Sequence, residues 1–313
     1  MHAPPDNTPR IGLALGSGSS RGWAHIGIIR ELAEIGLEPH IVCGCSIGAL
    51  VGASYAAGNL ERLEDWVRAL TRRELVRFFE LNFSFNGFVA ADRFRNFLHQ
   101  YVCTEEVPIE SLSKPFATVS TELETGREIW FTQGPVLHAV IASIALPGLF
   151  PPVPYQGRWL VDGGLVNPVP VSLCHALGAE VVIAVNLNGD IVGKHFRPPA
   201  SRNKSRDNQK NMLEAFIATL REYSPALFST DKNAHSPPSL FEAIAGAINI
   251  TQDRITRSRM AGDPPDVLLT PRLSHIGLLE FHRAGEAIDE GRACVRRARS
   301  AIENLLSALP RPS

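Results

Sequence analysis

The sequence predicts an α/β protein, a three-layer α/β/α arrangement around a mainly parallel central sheet. Two observations carry this reading. Short apolar runs at 11–15 and 40–43 alternate with stretches of helical spacing, so strand, helix, strand and helix follow one another before Asn59. Each of these strands also runs into a glycine-rich turn that opens directly onto a helix, as in parallel βαβ units.

Taken in order, 11–15 is an uninterrupted apolar run ending at Gly16, the mark of a strand buried on both faces. The stretch 22–34 carries Ile26, Ile29, Leu32 and Ala33 at helical spacing, with Gly36 as its C-cap. The strand at 40–43 leads through Gly44, Cys45, Ser46, Ile47 and Gly48 into a small-residue helix at 49–57, closed by Gly58. Segments 116–123 and 127–132 flank Glu124, Thr125 and Gly126 and read as a hairpin. A strand at 159–161 ends at Asp162, Gly163 and Gly164, and 178–185 is a helix end followed by a buried strand. A strand at 266–270 and a last helix from Leu278 to about Leu309 close the chain.

Between Gly189 and Pro238 the apolar patterning stops. Residues 201–210 hold Arg202, Lys204, Arg206 and Lys210 against Asp207 alone. Met212, Leu213, Phe216, Ile217 and Leu220 form one helical stripe within this stretch. The organisation expected is a catalytic core at 11–188, a polar insertion at 189–238, and a helical part at 239–313 that completes the same domain. The insertion reads either as a lid over the site or as an ordinary packed helix, its basic run as solvated loop or as a contact for anionic lipid.

Composition narrows the function. Hydrophobic residues make up 44% and charged residues 20%, with a formal net charge of −1, so there is no electrostatic footprint for nucleic acid. Cys43, Cys45, Cys103, Cys174 and Cys294 form no CxxC pair and no zinc spacing, so neither metal nor cofactor is expected. The first ten residues lack a signal-peptide pattern. No apolar run reaches the roughly 18–20 residues of a membrane span; the nearest, 136–150, is broken by Pro147. The expectation is a soluble protein of the cytoplasm, with the inner membrane surface as the place for any peripheral contact.

Three loops carry chemistry. Gly44-Cys45-Ser46-Ile47-Gly48 is a GxSxG sequence between a strand and a helix, where a sharp turn exposes a serine hydroxyl at the helix N-terminus. Gly16-Ser17-Gly18-Ser19-Ser20-Arg21-Gly22 is a second such turn. A dinucleotide site would need an acidic residue at the end of the next strand, which ends instead in Gly44, Cys45 and Ser46. The loop therefore reads as a nest of N–H groups for an oxyanion, with Gly18 and Ser19 as donors. Arg21 either steadies that loop, meets an anionic head group, or makes a surface salt bridge. Asp162, at a strand end before two glycines, is the candidate base, although Asp-Gly-Gly alone is also simply a turn.

These three blocks, in this order, resemble the signature blocks of the patatin-like phospholipases, and within them the bacterial branch related to neuropathy target esterase. The linking segments agree: Gly22-Trp23-Ala24-His25-Ile26-Gly27, Ala142-Ser143-Ile144-Ala145-Leu146-Pro147-Gly148 and Leu165-Val166-Asn167-Pro168-Val169-Pro170. The resemblance implies a patatin-like fold and a Ser–Asp dyad without histidine, Ser46 as nucleophile and Asp162 as base. It implies that the first loop forms the oxyanion hole and that the substrate is a lipid or other acyl ester, hydrolysed through an acyl-serine intermediate. Two other uses of the site stay open: acyl transfer or thioester hydrolysis on the same dyad, and a regulatory protein with a vestigial site. Ser17 and Cys45 depart from the glycine and threonine common at these positions.

Of the ten histidines, His25 is the best candidate for a Ser-His-Asp triad, against a structural histidine. Cys45 is either a reactive thiol or a small buried hydrophobe. Segment 142–152 is expected to wall the site. Phe78, Phe79, Phe83, Phe85 and Phe88 line an acyl channel or fill the core.

Overall fold

The computed structural model describes residues 9–75, 87–104, 106–191 and 240–308. The basic run and apolar stripe of the insertion, and Phe78, Phe79, Phe83 and Phe85, lie outside the described residues, as does the side chain of Phe88.

The strands are β1 (Ile11–Leu15), β2 (Ile41–Cys45), β3 (Phe116–Glu122), β4 (Glu128–Phe131), β5 (Val153–Tyr155), β6 (Arg158–Asp162), β7 (Val181–Val185) and β8 (Val267–Leu269). They form one sheet in the order β5-β6-β3-β2-β1-β7-β8, with β4 paired to β3 off this path. β1, β2, β3, β7 and β8 are mutually parallel, whereas β4, β5 and β6 join through antiparallel pairs. The mainly parallel sheet expected from the sequence is therefore present, as is the β3–β4 hairpin expected around Gly126; the antiparallel pairing of β6 with β3 and β5 was not foreseen.

Helices cover both faces, because alternate residues of each central strand point into different cores. Leu13, Leu15, Val42 and Val185 face one layer, built from α1 (Ala24–Glu34), α2 (Ile47–Ala56), α3 (Leu60–Ala69), α4 (Gly87–Tyr101), α5 (Val136–Ile144) and α8 (Ala284–Ala308). Ala14, Cys43, Val182 and Ala184 face the other, with α6 (Val171–Ala176) and Met260 of α7 (Leu240–Gly262). A central sheet flanked by helices on both sides is the layer arrangement that the alternation of strand and helix foretold.

The last helix begins at Ala284 rather than near Leu278. Tertiary contacts claim the preceding carbonyls: Ser20 Oγ donates to Gly277 O at 2.6 Å and Ser19 Oγ to Leu278 O at 2.6 Å. Trp23 Nε1 donates to Phe281 O at 3.1 Å. These bonds tie the segment before Ala284 to the glycine loop, where it forms isolated turns such as Glu280 N to Gly277 O at 3.2 Å rather than α-helix.

Strand register then sets the site. Thr118 and Val119 pair with β2 and with β4, so β2 and β4 lie on opposite edges of β3. Ser120 and Thr121 pair with β4 and with β6, so β6 shares the β2 edge. β2 runs parallel to β3 and stops at Cys45, opposite Val119; β6 runs antiparallel and stops at Asp162, opposite Ser120. Two strands thus meet end to end on one edge, C-terminus against C-terminus, and the residues at the junction are Ser46 and Asp162.

Candidate active site

Ser46 links β2 to α2 at φ 56 and ψ −122, left of the usual range for a residue with a side chain. Such a backbone costs of the order of 1–3 kcal/mol and persists only where the surroundings fix it. Here Ser46 N–H donates to Ser143 Oγ at 2.9 Å, and Ser143 Oγ–H donates to Val119 O at 2.6 Å. On the other side, Ser46 O accepts from Ala49 N at 2.8 Å and from Leu50 N at 3.3 Å in the first turn of α2. Ser143 was not among the residues singled out from sequence; only its place in the 142–148 segment pointed to it.

The Ser46 hydroxyl donates to Asp162 Oδ2 at 2.5 Å. The second oxygen, Oδ1, accepts from Gly164 N at 2.7 Å, and Thr121 Oγ1 donates to Asp162 O at 2.8 Å. Asp162 is only 2% exposed, and its burial raises the carboxyl pKa from 3.8 to about 6, against the hydrogen bonds from Ser46 and Gly164 that favour the anion. Gly163 is required by close approach: a Cβ there would lie 2.2 Å from Val119 O. The Asp-Gly-Gly turn is thus both a turn and the mount of a buried carboxylate.

Among the described residues, no histidine joins the pair. His25 is fully buried on α1, with Nε2 bonded to Gly16 O at 2.8 Å. Burial depresses its pKa to about 4, the carbonyl bond opposing, so the ring is neutral and Nε2–H is the donor. It supports the backbone of the glycine loop. Cys45 is equally buried, and desolvation, with Asp162 and Glu128 nearby, pushes its thiol well above the ordinary range. It is a packed hydrophobe, and the reactive-thiol alternative falls.

The loop from Gly16 to Arg21 is brought beside Ser46, but its members are not equivalent. Gly16 N donates to Val185 O at 3.1 Å, Ser17 N to Pro168 O at 2.8 Å, Ser20 N to Leu278 O at 3.3 Å and Arg21 N to Gly18 O at 3.3 Å. Those four donors are spent on the scaffold, which corrects their inclusion in the oxyanion set. The N–H groups of Gly18 and Ser19 have no acceptor among the described residues, and both residues line the pocket that holds Ser46. Arg21 is buried rather than on the surface. Its Nε donates to Gly18 O at 3.1 Å and its Nη2 to Asn249 Oδ1 at 3.0 Å, while desolvation lowers its pKa to about 9. Arg21 steadies the loop, and the surface salt bridge is excluded.

The pocket above Ser46 spans about 950 Å³ of space free of protein atoms, the open solvent at its mouth included. Its polar end is Ser17, Gly18, Ser19, Arg21, Ser46, Asp162 and Gln252. Its apolar length runs along Leu50, Trp66, Phe94, Phe97, Ile144, Leu146, Phe150 and Phe281. Phe94 packs on Phe150 with ring centroids 5.1 Å apart, and Trp66 on Phe97 at 4.4 Å. Segment 142–152 does wall the site, through Ile144, Leu146, Leu149 and Phe150. Gln252, on α7, was not foreseen; it lies beyond the region whose motifs could be read. Among the described residues there is no group of three His, Cys, Asp or Glu side chains able to hold a metal ion. No described helix is long and apolar enough to cross a membrane.

Fold and site define an α/β protein that holds a serine, in a strand-to-helix elbow, against a buried carboxylate at the head of an apolar pocket. Comparison with known proteins places this class. A family model described as patatin-like phospholipase matches residues 13–175. An NTE family protein of Mycobacterium tuberculosis is 34% identical over 95% of this chain and 93% of its own length. The neuropathy target esterase sws of Drosophila melanogaster is 32% identical over 56% of this chain and 13% of its own. Lysophospholipase NTE1 of Pyricularia oryzae is 29% identical over 90% of this chain and 18% of its own. The chain belongs to the patatin-like phospholipase family and is, with that family, a carboxylic ester hydrolase of lipid substrates.

Proposed function

We propose that the protein is a lipid acyl hydrolase of phospholipase A or lysophospholipase type, working through a Ser46–Asp162 dyad and an acyl-serine intermediate. The observation that carries this reading is the 2.5 Å hydrogen bond from Ser46 Oγ to Asp162 Oδ2 at the head of an apolar pocket. In this reading the acyl chain lies along Phe94, Phe97 and Phe150, and its carbonyl carbon meets Ser46 Oγ. As Oγ attacks, its proton passes to Asp162, and the carbonyl oxygen gains charge beside the unspent N–H groups of Gly18 and Ser19. Asp162 then gives the proton to the departing alcohol. A carboxyl with a pKa of about 6 suits this exchange, being ionised near neutrality yet basic enough to hold the proton in passing. Water repeats the sequence on the acyl-serine and frees the fatty acid.

The test is a panel of p-nitrophenyl esters, lysophospholipids, phospholipids and acyl-CoA offered to the wild type and to Ser46→Ala. Hydrolysis of apolar acyl esters is expected, with a loss of about a thousandfold or more in Ser46→Ala and an unchanged circular dichroism spectrum. Near-wild-type turnover by a folded Ser46→Ala protein refutes the dyad. Preferential appearance of the acyl group on added glycerol or lysolipid would make the enzyme a transferase instead.

A further inference from the structure

One donor in the pocket, the side-chain NH2 of Gln252, is used neither by the hydrogen bonds of the described residues nor by the chemistry above. Gln252 sits on α7, is 6% exposed, and lines the pocket with Ser46 and Asp162. Its Oε1 accepts from Ser17 Oγ at 3.1 Å and from Asn188 Nδ2 at 2.9 Å. Two donors on the carbonyl end fix the amide plane and leave the NH2 end as the free one. Nε2 has no acceptor among the described residues and is open to the pocket that Gln252 lines.

The free end stands beside the carboxylate. A Cβ built on Gly164 would lie 2.4 Å from Gln252 Nε2 and 3.0 Å from Asp162 Oδ1, so both atoms pack against Gly164 and lie close to each other. A side chain at position 164 would force these two groups to shift. A free donor and a proton acceptor this near to each other on the wall of one pocket are what a water molecule needs if it is to be held and deprotonated at once.

We propose that Gln252 positions the hydrolytic water for deacylation: Nε2–H donates to the water oxygen while Asp162 takes its proton. The proposal rests on the Ser46–Asp162 reading. The water oxygen bonds to the acyl carbon as its proton moves to Asp162, and the oxyanion faces Gly18 and Ser19. The bond from the acyl carbon to Ser46 Oγ then breaks, Oγ recovers the proton from Asp162, and the fatty acid leaves. Acylation needs no water, so Gln252 acts in the second half-reaction alone.

The experiment compares wild type with Gln252→Met, which keeps the bulk, and with Gln252→Glu, which keeps an acceptor for Ser17 and Asn188 but loses the N–H donor when ionised. Two quantities are read: the rate at which a fluorophosphonate labels Ser46, and the fraction of acyl-Ser46 in acid-quenched steady state with p-nitrophenyl butyrate, by intact mass. In both variants labelling is expected to stay within about threefold of wild type, while the ratio of acyl-Ser46 to free enzyme rises about tenfold or more. An unchanged acyl fraction overturns the proposal, as does labelling that falls as far as turnover in Gln252→Glu, since Gln252 would then only order the Ser17 loop. Absence of label on Ser46 in the wild type would sink the underlying dyad instead, a different and separately visible failure.

Discussion

Ser46 and Asp162 come within 2.5 Å of each other because β2 and β6 end head to head on the same edge of β3. Their separation in sequence is erased by register: Cys45 pairs with Val119, and Asp162 with the next residue, Ser120. The consequences below all follow from that junction and from the walls around it.

With Asp162 as base, kcat/KM should rise with pH through an apparent pKa of about 6 and then stay level. His25→Gln, which keeps a donor for Gly16 O, is expected to leave this limb in place and to retain activity within about tenfold. Loss of the limb in His25→Gln would restore the triad.

The same carboxylate strains the fold. Its pKa is raised from 3.8 to about 6 on folding, so its contribution to stability is complete below the lower value and is lost as pH rises through the upper one. Asp162→Asn carries no such penalty. Between about pH 5 and about pH 8 the variant should gain about 1.4 kcal/mol relative to wild type, or about 2–4 °C in Tm. A Tm difference that does not change with pH would contradict the buried, shifted carboxylate.

Ser143 holds the strained elbow by accepting from Ser46 N–H and donating to Val119 O. Ser143→Ala leaves a buried donor and a buried acceptor without partners, which should cost about 1–3 kcal/mol in urea unfolding. Release of the elbow should also lower kcat by about tenfold to a hundredfold with little change in KM. Equal effects on kcat and KM would mean that Ser143 shapes the pocket rather than the nucleophile.

Leu146 borders the pocket in the segment between α5 and β5. Leu146→Trp narrows the apolar length without touching Ser46, Asp162 or the glycine loop. Hydrolysis of long-chain p-nitrophenyl esters should fall about tenfold or more while the acetate ester is spared. A uniform loss across chain lengths would place the acyl chain elsewhere.

Much of this was legible in the sequence, and the residues show why. The run 11–15 and the Gly44–Gly48 turn announce themselves locally, because a strand buried on both faces is continuously apolar and an elbow needs glycine. Asp162 was legible only through its motif, since nothing local says that β6 meets β2. The helix expected from Leu278 starts at Ala284, and the segment before it is tied to the glycine loop through Ser19 and Ser20, contacts that no local pattern announces. Which loop donors remain unspent was hidden for the same reason: their partners, Pro168 O and Val185 O, are remote in sequence. Gln252 had no sequence signal at all, being one buried polar residue on a helix whose inward face also carries Asn249, Asp253 and Thr256.

The most direct test of the dyad is peptide mass mapping after brief reaction with a fluorophosphonate. The adduct is expected on the peptide containing Ser46, absent in Ser46→Ala, slowed about a thousandfold in Asp162→Asn and nearly unaffected in His25→Gln. An adduct on another residue, or one formed at the wild-type rate in Asp162→Asn, would contradict a serine activated by Asp162 alone.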